Sequence, residues 1–146
     1  MLTVEKIAFI GPGVMAEAMI AGLIRQNIAD PSRLIAAGPR IERLEELRSR
    51  YAIEIETENA RAACQADIIV LSVKPQRLGK VLAGLCSVIQ PHALVLSIVA
   101  GAPIQKISSA LQHQMVVRSM PNTPAQIGEG ITVWTASPHV SEQQRE

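Results

Sequence analysis

The stretch Lys6-Ile7-Ala8-Phe9-Ile10-Gly11-Pro12-Gly13-Val14-Met15-Ala16 constrains this chain more than any other. The uncharged apolar run Ile7 to Ile10 reads as a strand buried on both faces, and it stops at two glycines that open into a helical pattern. The spacing predicts strand, tight turn, helix. In this Gly-x-Gly-x-x-Ala form, Gly11 permits the turn, Gly13 lets phosphates approach the backbone, and small Ala16 lets the helix lie close on the strand. Free N–H groups and the positive end of the helix dipole favour an anion there without any Lys or Arg. A pyrophosphate is the anion such a turn suits.

A glycine fingerprint alone marks only a tight turn, so the weight falls on the rest of the chain. Apolar runs alternate with amphipathic segments along it: Leu34 to Ala37, Asp67 to Val73 and Leu94 to Ile98 read as buried strands. The expected fold is α/β, a Rossmann-type doubly wound, mainly parallel sheet with helices on both faces, forming one domain over residues 1–146. Fourteen basic against thirteen acidic residues and 2% aromatics leave neither an electrostatic footprint nor stacking platforms for nucleic acid. No apolar run reaches membrane-spanning length, which predicts a soluble, cytoplasmic protein. Cys64 and Cys86 lack Cys-x-x-Cys spacing and read as buried, inert thiols. His92, His113 and His139 fall at no shared ligand spacing, so no metal is expected.

Cofactor choice should be made where the second strand ends, at Gly38-Pro39-Arg40. An NAD-binding fold usually places an Asp or Glu there for the adenosine ribose. This chain offers none, and Arg40 can grip a 2'-phosphate that a carboxylate would repel. The expectation is NADPH ahead of NADH. Ile41, Leu44, Leu47 and Tyr51 then form the buried stripe of a helix whose charges, with Glu46 and Arg50 at i, i+4, face solvent. Ile53 to Glu56 alternates as a strand near a sheet edge, and Asn59 opens a brief helix containing Cys64. Pro75 forces Lys74 out of helical geometry at a strand's carboxyl end, where an open parallel sheet holds its ligand. The small residues Val99-Ala100-Gly101 suggest a close approach after the next strand. Pro103 fits a first helical turn. The loop Met120-Pro121-Asn122-Thr123-Pro124-Ala125 is stiffened by its two prolines, and Glu129 to Thr135 alternates as a final strand.

Taken together, Gly11 to Ala16, Ser72-Val73-Lys74-Pro75-Gln76, Ser97 to Gly101, and Arg118 to Ala125 followed by Gly128-Glu129-Gly130 resemble pyrroline-5-carboxylate reductase. The resemblance runs through the whole chain and implies hydride transfer from NAD(P)H to the C=N carbon of 1-pyrroline-5-carboxylate, an imino acid, giving L-proline. It further implies cofactor contacts on Ile10, Gly11, Pro12, Gly13, Val14 and Met15, on Gly38, on Asn59, on Ser72, Val73, Lys74 and Pro75, and on Ile98, Val99 and Ala100. Asn122 would lie on the nicotinamide side. Where the family often offers a hydroxyl, this chain has Gly38. Family members continue into a helical domain that makes the dimer and completes the substrate pocket, so the resemblance implies a chain ending before it.

Imine reduction needs a positioned hydride donor, a proton at nitrogen and exclusion of water. No residue here reads as a general acid, so the expectation is a chain that binds NADPH but turns over substrate very poorly. Two other readings stand beside it: a 3-hydroxyacid dehydrogenase-type reductase, and a non-catalytic NADP-binding module.

Overall fold

The computed structural model describes residues 4–121, 130 and 132–146. Seven strands form one sheet: β1 (Ile7–Ile10), β2 (Leu34–Ala37), β3 (Glu54–Glu56), β4 (Ile68–Leu71), β5 (Leu94–Ser97), β6 (Val116–Pro121) and β7 (Thr132–Ala136). Their order is β3-β2-β1-β4-β5-β6-β7, parallel throughout except for the antiparallel β6–β7 pair. The chain winds outward from β1 to β3, then returns to place β4 against the other side of β1. That reversal makes the β1/β4 boundary the topological switch point, where an open α/β sheet leaves a crevice outside its strand ends.

The central strands β1, β2, β4 and β5 are four residues long and carry no charge because both faces are covered. Ala8 and Ile10 face one core with Ile69, Leu71, Val95 and the helices α3 (Asn59–Ala63), α4 (Pro75–Leu85) and α5 (Ile104–Leu111). Ile7 and Phe9 face the opposite core with α1 (Val14–Arg25) and α2 (Ile41–Tyr51). Helix α1 sinks Ala16 and Ile20 completely, and Ile20 alone contributes about 1.5–3 kcal/mol of burial. The small Ala16 sits where the helix first meets the sheet, as the fingerprint requires. A last short helix, α6 (Glu142–Arg145), begins with a capping box between Ser141 and Gln144.

Several expectations need correction. Cys64 is exposed and Cys86 half-buried, because both stand just past a helix end rather than on an inward stripe. Ile41 is 43% exposed at the first position of α2, and the buried stripe of the helix begins at Leu44. Pro103 precedes α5 as its cap rather than lying within the first turn. Met120 and Pro121, read as loop, continue β6 and pair with Val133 and Thr132. Pro121 is tolerated because it is the last residue of its strand. Asn122 and the rest of the proline-bounded loop through Ala125 lie outside the described residues. No helix among the described residues is long and apolar enough to cross a membrane.

Candidate functional site

The carboxyl ends of β1, β2 and β4 meet at the switch point, and the glycine turn is built there. Gly11 adopts φ +86°, and a Cβ on it would stand 2.6 Å from Val73 Cγ1, so only glycine fits. The turn is pinned from three sides. Gly11 N–H donates to the Ala37 carbonyl at 2.9 Å, and Gly13 N–H to the Gly11 carbonyl at 2.8 Å. Ser72 reaches across from the end of β4: its N–H donates to the Ile10 carbonyl at 2.9 Å, and its Oγ lies 3.0 and 2.8 Å from the carbonyls of Ile10 and Gly11.

Gly13 is different in kind. Its φ of −84° is open to any residue, and a Cβ there would meet nothing within 4 Å. The absence of a side chain therefore serves space outside the protein rather than a fit inside it. Gly13 also precedes α1 with no side-chain cap, leaving the first amides of the helix to an external acceptor. Val14 is 65% exposed beside them.

Gly38 has its own explanation. A Cβ at that position would lie 2.9 Å from Pro12 Cδ, so the proline ring in the turn leaves no room there for the hydroxyl that the resemblance led one to expect. Two residues on, Arg40 is exposed at the start of α2, and its side chain takes part in no hydrogen bond or ion pair among the described residues. Its charge is uncommitted, at the rim where a ribose would lie.

The remaining residues of the expected site also lie along this rim, but their side chains differ in what they can do. Lys74 is exposed in extended geometry before α4, with Pro75 at the first helical position. Asn59 follows β3, and its buried Oδ1 has no hydrogen-bond partner, an orphaned acceptor of the kind that a ligand donor relieves. Ile98 and Ala100 follow β5, Ala100 exposed. Ile10 and Val99, by contrast, turn their side chains into the core at 0% and 2% exposure, so only their backbones face outward. Ser72 and Val73 hold the turn from behind. Met15 lies on the first turn of α1. The described residues thus fit a dinucleotide: an open glycine cradle, an uncapped helix start, an orphaned acceptor and an uncommitted arginine share one rim.

Sequence reading missed a second layer. Arg43 of α2 donates from Nε to the Pro12 carbonyl at 3.0 Å and is held by Glu17 of α1. Burial alone would raise the Glu17 carboxyl, but hydrogen bonds from Arg43 and Tyr51 and the Arg43 charge bring it below the ordinary carboxylate value. Nothing in the local pattern announces a pair separated by 26 positions. Arg118, whose buried Nε also lacks a partner, stands in β6 beside Ser97 of β5.

A cleft of about 520 Å³ opens at the other end of the sheet, around Val4, Asp67, His92, Leu94, Met115 and Gln144. None of the expected site residues lines it.

Known proteins bear on this rim. The chain is 37% identical over 139 residues to a pyrroline-5-carboxylate reductase of Synechocystis, covering 95% of this chain and 52% of that protein. The structure of a pyrroline-5-carboxylate reductase from Coxiella burnetii superposes with a TM-score of 0.91 at 30% identity, over 97% of this chain and 53% of the other. That of a Plasmodium falciparum pyrroline carboxylate reductase with NADP bound does so at 0.85 and 28% identity, over 99% and 52%. The chain thus spans about half the length of the curated relatives it matches. A family model described as NADP oxidoreductase, coenzyme F420-dependent, matches residues 6–101, and with glycine turn, strand order and relatives in agreement, the chain belongs to that family.

Proposed function

We propose that this chain is the cofactor-holding part of a pyrroline-5-carboxylate reductase, binding NADPH ahead of NADH for reduction of 1-pyrroline-5-carboxylate to L-proline. The observation that carries the reading is the glycine turn at the β1/β4 switch point, closed behind by Val73 and open in front at Gly13. When bound, the reduced dinucleotide supplies hydride to the C=N carbon while a proton goes to nitrogen.

The residues of this chain position and select. The amides after Gly13 and the start of the α1 dipole receive the diphosphate. Asn59 Oδ1 accepts from a ribose hydroxyl. Arg40 pairs with the 2'-phosphate, where its planar fork suits a tetrahedral anion and no carboxylate competes. Lys74, with the backbone of Ser72 to Pro75 and Ile98 to Ala100, borders the nicotinamide half. None of these groups is a proton donor to the imine. The substrate pocket and the contacts of a homo-oligomer are assigned to the half of the relatives' length that this chain does not span, in a protein of the cytoplasm.

Paired fluorescence titrations with NADPH and NADH test the reading. NADPH should bind about tenfold more tightly, and Arg40→Asp should abolish the difference by weakening NADPH alone. Equal or tighter NADH binding by the unaltered chain overturns the role of Arg40. Binding of neither overturns the cofactor assignment. The reaction itself is tested by NADPH consumption that depends on 1-pyrroline-5-carboxylate and yields L-proline, which the 146-residue chain alone should support only very poorly.

A further inference from the structure

Arg43 stands on α2, and every nitrogen of its guanidinium is engaged, two of the three away from that helix. Nε donates to the Pro12 carbonyl at 3.0 Å, one terminal nitrogen to Glu46 at 3.0 Å, and the other to Glu17 at 2.5 Å. Glu17 lies one helical turn into α1 and also accepts from Tyr51 at 2.8 Å and from Arg50. The Arg43 and Glu17 side chains are 16% and 17% exposed, so this pair is shielded where most surface ion pairs are not.

The carbonyl that Arg43 grips belongs to the peptide joining Pro12 to Gly13. A peptide unit is planar, so fixing its oxygen fixes the direction of the Gly13 N–H on the opposite side. The proline ring already sets φ at residue 12, which leaves ψ as the one soft rotation between the two glycines. Arg43 removes it. Glu17, whose own N–H donates to the Gly13 carbonyl at 3.0 Å, ties the same guanidinium to the helix that the turn opens.

We propose that Arg43 is a positioning residue for the dinucleotide turn: it locks the Pro12–Gly13 peptide plane to α1 through Glu17 and does not itself touch the nucleotide. The proposal rests on the cofactor reading above and assigns the two arginines of this rim opposite tasks. Arg40, uncommitted, discriminates between dinucleotides. Arg43, fully committed, prepares the turn for either one, because the diphosphate is common to both.

The test compares Arg43→Gln with Arg50→Gln, which unloads Glu17 from its exposed side but leaves Pro12 untouched. In the free chain, amide hydrogen exchange at Gly13 and Val14 should quicken about tenfold in the first variant and stay unchanged in the second. NADPH and NADH should both weaken about tenfold in Arg43→Gln, with their ratio preserved, and neither should change in Arg50→Gln. Loss of NADPH affinity alone would make Arg43 a phosphate ligand and overturn the proposal. Equal effects in the two variants would assign the effect to α1–α2 packing and overturn it too, as would wild-type exchange and affinities in Arg43→Gln. Should Arg43→Gln not fold, Arg43→Lys carries the same test, since it keeps the charge beside Glu17 and Glu46 and lacks the planar Nε–H; the same pattern at smaller size is expected. If the unaltered chain binds neither dinucleotide, the cofactor reading falls, and the exchange rates alone still decide whether Arg43 holds the turn.

Discussion

The two ends of the sheet have been treated in opposite ways. At the amino ends of the parallel strands, polar groups are tied together. Asp67 accepts from the N–H groups of Glu5 and Lys6 at 2.8 and 3.1 Å and lies 2.8 Å from His92 Nε2. The His113 ring reaches the Ala93 carbonyl at 2.6 Å, and Gln144 of α6 reaches the His92 carbonyl at 3.2 Å. At the carboxyl ends, groups that a stable protein would satisfy are left waiting: the uncapped start of α1, Asn59 Oδ1 and the Arg40 charge. A fold gains stability by pairing its polar groups and binding ability by withholding some of them. The difference separates the rim that secures the sheet from the rim that can receive a ligand.

That contrast is broken most sharply at the two glycines. Gly13→Val should leave thermal stability within about 1 kcal/mol while weakening NADPH about a hundredfold, because its side chain enters only the space outside the turn. Isothermal titration and a melting curve on one sample check both halves. Gly11→Ala should do the reverse. A left-handed φ and a Cβ 2.6 Å from Val73 Cγ1 together cost roughly 3 kcal/mol, a fall of about 10 °C in Tm that precedes any question of affinity.

At the other rim, Asp67→Asn should destabilise by about 1–3 kcal/mol through loss of charge-assisted hydrogen bonds, measured by urea unfolding. The folded variant should bind NADPH like the parent. An altered affinity would mean that the two rims communicate. Arg40→Asp is the mirror experiment, with about tenfold weaker NADPH binding and an unchanged unfolding curve.

The smallest effect is the pH dependence. Burial tends to raise the Asp67 carboxyl, but its hydrogen bonds to His92 and to the Lys6 and Glu5 amides bring it below its ordinary value of 3.8. A depressed carboxylate contributes its stability above its unfolded value and loses it as pH falls through the folded one. Glu17 behaves likewise from its ordinary 4.5. Acid titration followed by circular dichroism should therefore show stability declining below about these values, with a shallower decline in Asp67→Asn. An identical acid limb in the variant would remove Asp67 from the account.

The residue pattern was most informative where burial leaves no alternative. β1, β2, β4 and β5 carry predominantly apolar runs without a charge because parallel strands under helices on both faces admit none. The Gly11 turn was legible because a left-handed φ after a strand selects glycine. Legibility failed where a residue's meaning depends on a distant neighbour. Gly38 looked like a lost hydrogen bond until Pro12 Cδ was found against it. The pairing of Arg43 with Glu17 had no local signal, since the charges of the α2 segment read together as a solvent face. Cys64 was expected inside because it was read as part of a helix, although the helix ends one residue before it.

Sequence by itself determined the alternation of buried strands and amphipathic helices, and the glycine turn that opens the first crossover. Both are local, since they follow from side-chain polarity and from the backbone angles each residue can reach. Tertiary structure alone decided which strands lie beside β1, which end of the sheet stays unsatisfied, and which of two arginines at one helix is free to meet a ligand. Those outcomes depend on distances between residues far apart in the chain, and a sequence carries no distances.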